Sequence, residues 1–115
     1  MRPPVARAAR ICPVEVATSV LGGAWKLTIV KHLGAAGVLR FGELHRAVGD
    51  VTPRSLTRQL RELETDGIVS RTVYAEVPPR VEYALTALGE TLVPMVAELD
   101  RWGADYLASR ATTAP

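Results

Sequence analysis

The 115-residue sequence predicts one mainly helical α+β domain with a single small β-hairpin. Three observations carry this expectation. Apolar residues recur at steps of three and four over most of the chain, the stretch from Ile68 to Leu85 changes to Val, Thr and Tyr alternating with polar residues, and capping signals separate the helical stretches. With 48% apolar and 23% charged residues, the balance is that of one soluble domain with one core.

Residues 1–10 carry Arg2, Arg7 and Arg10, two prolines and no acid, and read as a flexible basic arm. Cys12-Pro13 is a helix entry, because proline fits the first helical position, where its missing N–H is not needed. Glu15 follows in the first turn, and the helix runs to Leu21 before Gly22-Gly23. A second helix, from Ala24 to Leu33, puts Trp25, Ile29 and Leu33 on one face. A short extended piece, Val38 to Phe41, precedes a third helix with Leu44 and Val48.

The start of the fourth helix is the best marked. Thr52 is its N-cap, Pro53 its first residue, and Val51 packs on Leu56 as a hydrophobic staple. Leu56, Leu60 and Leu63 form its buried stripe, and Gly67 ends it as a left-handed cap, with Ile68 returning to Leu63. The hairpin that follows has a proline-stiffened tip, Val77-Pro78-Pro79, and apolar Val81, Tyr83 and Leu85 on one face of its second strand. Thr86 caps a final long helix with a near-heptad seam of Leu88, Leu92, Met95, Leu99, Trp102 and Tyr106, which Pro94 should kink.

Two helices joined by a tight turn, the second capped and amphipathic, followed by a hairpin, is the element order of a winged helix-turn-helix. The expected domain covers residues 11–108, with dimerisation helices at about 11–21 and 87–108 and a disordered tail at 109–115. The charges agree with this assignment locally. Arg54, Arg58 and Arg61 recur at steps of four and three opposite the leucine stripe, beside Ser55 and Thr57 and without an acid. Arginine forks match phosphates and the paired acceptors of guanine, so Thr52, Pro53, Arg54, Ser55, Thr57, Arg58 and Arg61, with Arg80 at the hairpin tip, are the expected DNA-binding residues. On an isolated helix such a face is equally an ordinary solvated one. The preceding helix, the turn and the hairpin favour double-stranded DNA as the partner.

Five runs also resemble a known family: Cys12-Pro13-Val14-Glu15; Gly22-Gly23-Ala24-Trp25-Lys26; Arg40-Phe41-Gly42-Glu43-Leu44; Leu60-Arg61-Glu62-Leu63-Glu64; and the wing from Tyr74 to Tyr83, containing Glu76-Val77-Pro78-Pro79-Arg80. From Cys12 to Tyr106 the chain is similar to the HxlR-type (MarR-like) transcriptional regulators. The resemblance implies a bacterial homodimer that binds operator DNA through the helix and wing. Two departures are Ala24, where a basic residue is common, and Gly42, where an Asn or Ser cap is usual.

The seam from Leu88 to Tyr106 is about 30 Å of helix, more than so small a domain can cover. Leu92, Met95, Leu99, Trp102 and Tyr106 are therefore the expected dimer interface, the alternative being an ordinary core helix. A two-fold dimer presents its recognition helices about 34 Å apart and favours palindromic sites. Cys12, at the start of a helix and two residues from Arg10, is placed where nucleophilic sulfur is favoured. The resemblance points to Cys12 as a sensor of oxidants or electrophiles, against the alternative of an inert packed cysteine. A small effector bound between the first helix, the region of Trp25 and the last helix is a further possibility.

A lone cysteine excludes an internal disulfide framework and a multi-cysteine zinc site, and a reducing cytoplasm is the default location. No run approaches the roughly 18 apolar residues of a membrane span. His32 and His45 lie on separate helices and stand in no metal or catalytic spacing, so neither an enzyme nor a cofactor is expected. The non-enzymatic rival is a winged domain that binds protein instead of DNA.

Overall fold

The computed structural model describes residues 1–113, with side chains to residue 111. In order the elements are α1 (Pro3–Ala8), α2 (Pro13–Leu21), α3 (Lys26–Ala36), β1 (Val38–Arg40), α4 (Phe41–Val48), α5 (Pro53–Thr65), β2 (Val69–Tyr74), β3 (Arg80–Leu85), α6 (Ala87–Glu90) and α7 (Val93–Thr113). Ile29, Val30 and Leu33 of α3, Leu44 of α4 and the Leu56, Leu60 and Leu63 stripe of α5 are buried in one core, which Ile68, Val69, Tyr83 and Val96 extend. The helical periodicities therefore close on a shared centre. Each enclosed aliphatic side chain supplies roughly 1.5–3 kcal/mol of transfer free energy.

The helix-turn-helix is fixed by local hydrogen bonds. The Glu43 carboxylate accepts from the Arg40 backbone N–H at 2.8 Å and starts α4. Gly49, at φ +102°, ends it. The His45 imidazole donates from Nε2 to the Val51 carbonyl at 2.7 Å, and Phe41 stacks on the same ring with centroids 6.4 Å apart. The turn is thus pinned from inside the first helix. Thr52 then accepts from the Ser55 N–H at 3.1 Å, with Pro53 in the first turn, as the sequence predicts. At the far end, Gly67 takes φ +80°, and the N–H groups of Gly67 and Ile68 donate to the carbonyls of Glu64 and Leu63. This is the two-bond Schellman closure that a left-handed glycine permits.

The hairpin belongs to a three-stranded antiparallel sheet of order β1-β3-β2, not to the two-stranded ribbon expected. Val38–Arg40 pairs with Ala84–Glu82, so β3 is the central strand, and Tyr83 is its buried residue. Three residues are too few for alternation to reveal a strand. Thr86 joins the sheet to the last helices. Its hydroxyl accepts from Gly89 N–H at 3.0 Å and lies 2.6 Å from the Gly67 carbonyl that it donates to.

Three expectations about the ends are corrected. Residues 3–8, expected to be a flexible arm, form α1, because Pro3 and Pro4 suit a first turn, Val5 and Ala8 are buried, and Arg2 is anchored elsewhere in the fold. The last helix is broken after α6 instead of kinked at Pro94. Pro94 lies in the first turn of α7, where a missing N–H costs nothing, while Gly89 lies so close to the Ile68 carbonyl that a side chain there would collide with it. Residues 109–113, expected in the tail, continue α7, and residues 114 and 115 lie outside the described residues.

Candidate nucleic-acid interface

One face of α5 is buried and the other is cationic. Leu56, Gln59, Leu60 and Leu63 turn inward, while Thr52, Pro53, Arg54, Thr57, Arg58 and Arg61 are exposed and Ser55 is half-buried. None of the three arginines is in a salt bridge among the described residues. Thr52, Arg54, Ser55 and Arg58 line an open hollow of about 430 Å³ at the start of the helix. The Ser55 N–H is occupied by Thr52, and the Thr57 hydroxyl donates to the Pro53 carbonyl at 2.9 Å. The donors left on this face are therefore the guanidinium groups and the hydroxyls of Thr52 and Ser55. Three cations outside salt bridges along one helix suit a polyanion whose phosphates and base edges accept hydrogen bonds.

Arg80 is different from the free wing-tip cation expected. Its guanidinium lies 3.1 Å from Glu76 and 3.7 Å from Glu82, and stacks 3.9 Å above the Tyr74 ring. Two carboxylates more than balance the one charge. Glu82 is two residues along β3, on the same face as Arg80, and Glu76 follows two residues after Tyr74, the residue that pairs with Arg80 across the hairpin. Arg71 is likewise held, with its Nε 3.3 Å from Glu64 of α5. The wing is braced by ion pairs, so its two arginines are held where those of α5 are not.

The expected interface residues divide between core and surface. Leu92, in the turn between α6 and α7, is partly buried against the core. Met95, Leu99, Trp102 and Tyr106 are exposed along α7, Trp102 at 66%, and Trp102 stacks on Tyr106 with centroids 5.4 Å apart. Val96 is buried about a quarter turn round the helix from that stripe, so α7 covers the core along one side and leaves an aromatic stripe in water along the next. Stripes of this kind on a single chain mark association surfaces. Met95 and Leu99 also line, with Val14, Ala17, Leu21 and Leu27, an open apolar hollow of about 430 Å³. Cys12 is the N-cap of α2, is exposed and makes no side-chain capping bond.

Arg2, Lys26 and His45 escape the sequence reading. Arg2 pairs with Asp66, 64 residues away, a separation at which charge patterning along one helix gives no signal. Lys26 is buried and pairs with Glu62 at 2.8 Å. Its place in a run of apolar helix residues is the one sequence cue available. Arg40 and Arg46, both exposed on or beside α4, add positive charge next to the turn. No helix among the described residues is long and apolar enough to cross a membrane.

Residues 20–111 match the model of the HxlR-like helix-turn-helix family. The HTH-type transcriptional regulator YybR of Bacillus subtilis is 51% identical over 92 residues, which cover 80% of this chain and 73% of that one. Among solved structures, the redox regulator HypR in its reduced form superposes with a TM-score of 0.81 at 46% identity, covering 88% of this chain and 99% of the other. Its oxidised form superposes at 0.76 with 50% identity, covering 82% and 96%.

Proposed function

Because the chain belongs to the HxlR-like helix-turn-helix family of transcriptional regulators, we propose that it binds operator DNA as a homodimer, with α5 in the major groove and the wing beside it. The observation that carries this reading is the cationic face of α5, with Arg54, Arg58 and Arg61 exposed and, among the described residues, outside any salt bridge. A two-fold axis through the α7 stripe gives a palindromic operator its protein counterpart. Binding to a duplex should weaken linearly in log affinity against log salt. Arg54→Ala and Arg58→Ala should each lose about 1–3 kcal/mol of operator affinity and relax preference at one base position. A chain with no salt-dependent duplex affinity is instead a protein-binding winged domain.

Cys12 is the proposed point of control. Its exposure at a helix start supports this, as does the existence of reduced and oxidised forms of the similar regulator HypR. Two Cys12 thiols, one from each protomer, would give a disulfide by passing two electrons and two protons to an oxidant; one thiolate would instead add to an electrophile. Cys12→Ser should keep operator binding and lose its release by diamide or a quinone. Full release in that variant would transfer control to a small effector. The apolar hollow between α2 and α7 supports that second reading.

A further inference from the structure

The C-terminal half of α5 is gripped by two cations from the N-terminal layer. Arg2 donates from Nε to both Asp66 carboxylate oxygens at 3.0 and 3.1 Å, and from Nη2 to Asp66 Oδ2 at 2.7 Å. Nη2 also donates to the Ser19 carbonyl near the end of α2 at 3.1 Å, and Nη1 lies 3.8 Å from Glu62. Lys26, at the start of α3, reaches the other Glu62 oxygen at 2.8 Å. The Asp66 side chain is 5% exposed, so its partner cannot be replaced by water. Three segments therefore meet on a single turn of α5, at two acids four residues apart.

That turn lies at the opposite end of α5 from Arg54. From Asp66 to Arg54 is 12 residues, roughly 18 Å of helix, so a tilt of about 10° about the clamp moves the reading end by about 3 Å. Such a shift exceeds the tolerance of a hydrogen bond to a base edge. Charge-assisted forks hold direction as well as distance, because the guanidinium plane and the carboxylate plane align. We propose that Arg2 is a positioning residue for DNA recognition, setting the angle of α5 against α2 and α3 through Asp66. The pairing also raises Arg2 above its ordinary pKa, chiefly by the hydrogen bond to Asp66, and lowers Glu62, chiefly by that to Lys26.

This inference rests on the DNA-binding reading, and the experiment separates the two. A 30-base-pair duplex selected by the wild-type full-length chain from a random pool is titrated beside a scrambled duplex. Arg2→Gln and Asp66→Asn should each weaken the selected duplex about tenfold and leave the scrambled one within about twofold, and the double variant should be no weaker than either single one. Arg2→Lys, which keeps charge without the fork, should fall between. Unchanged discrimination in Arg2→Gln and Asp66→Asn, equal loss on both duplexes, or additive losses in the double variant would each overturn the positioning role. A wild-type chain that selects no duplex overturns the DNA-binding reading itself.

Discussion

Lys26 Nζ stands 2.8 Å from Glu62 Oε1, yet the two ends of this pair live in different solvents: the lysine side chain is 3% exposed and the glutamate 36%. The carboxylate can turn to water if its partner is lost. The ammonium cannot. Glu62→Gln should therefore cost about 2 kcal/mol of stability, below the ~3–5 kcal/mol for breaking an enclosed pair, whereas Lys26→Met should be close to neutral. Urea denaturation of the two variants checks the order, and a Lys26→Met protein less stable than Glu62→Gln would reverse the argument.

The same pair sets an acid limit. The Lys26 hydrogen bond holds the folded-state pKa of Glu62 below its ordinary value. Stability from this group is complete above the ordinary glutamate value of about 4.3 and is lost as pH falls from there through the lowered folded value. The urea midpoint of the wild type should drop on acidification below that point more steeply than that of Glu62→Gln. Parallel pH curves would show that the pair carries no linkage.

Arg80 and Arg54 should respond differently to salt. Arg54 has no carboxylate partner among the described residues, so Arg54→Ala should reduce the slope of log affinity against log salt by about one unit. Arg80 is already matched by Glu76 and Glu82, so its loss should change the slope less, and instead unmoor the wing tip from Tyr74. Fluorescence anisotropy with labelled duplex at several salt concentrations distinguishes them. Equal slope changes would mean that Arg80 leaves its carboxylates when DNA arrives.

Leu99 tests the assembly without touching the core. It is 46% exposed in the single chain, so Leu99→Asp should leave the fold intact while dissociating the dimer at micromolar concentration. Sedimentation measures the mass, and Trp102 emission should shift to longer wavelength as its ring enters water. A variant that sediments as wild type would remove α7 from the interface.

Much of this arrangement was legible because it is local. Thr52, Pro53, Gly67 and the leucine stripe of α5 specify their helix by spacings of a few residues, and the structure uses each as its chemistry suggests. What escaped depends on distant partners. Arg2 reads as a solvated cation until the fold brings Asp66 to it, whereas the carboxylates beside Arg80, those of Glu76 and Glu82, stand within four residues of it and were within reach of the sequence. The strand Val38–Arg40 is defined by pairing to β3, more than forty residues later in the chain, and not by its own three side chains.

Thr86 has a consequence for how distance between protomers is felt. One hydroxyl both accepts from the first turn of α6 and donates to the carbonyl of Gly67, the residue that closes α5. The end of α5 and the start of α6 are thus tied in a single hydrogen-bonded joint, one short turn before α7. In a two-fold dimer, stretching or compressing the separation of the half-sites would load that joint directly. On the DNA-binding reading, the spacing of the half-sites would then count as well as their sequence.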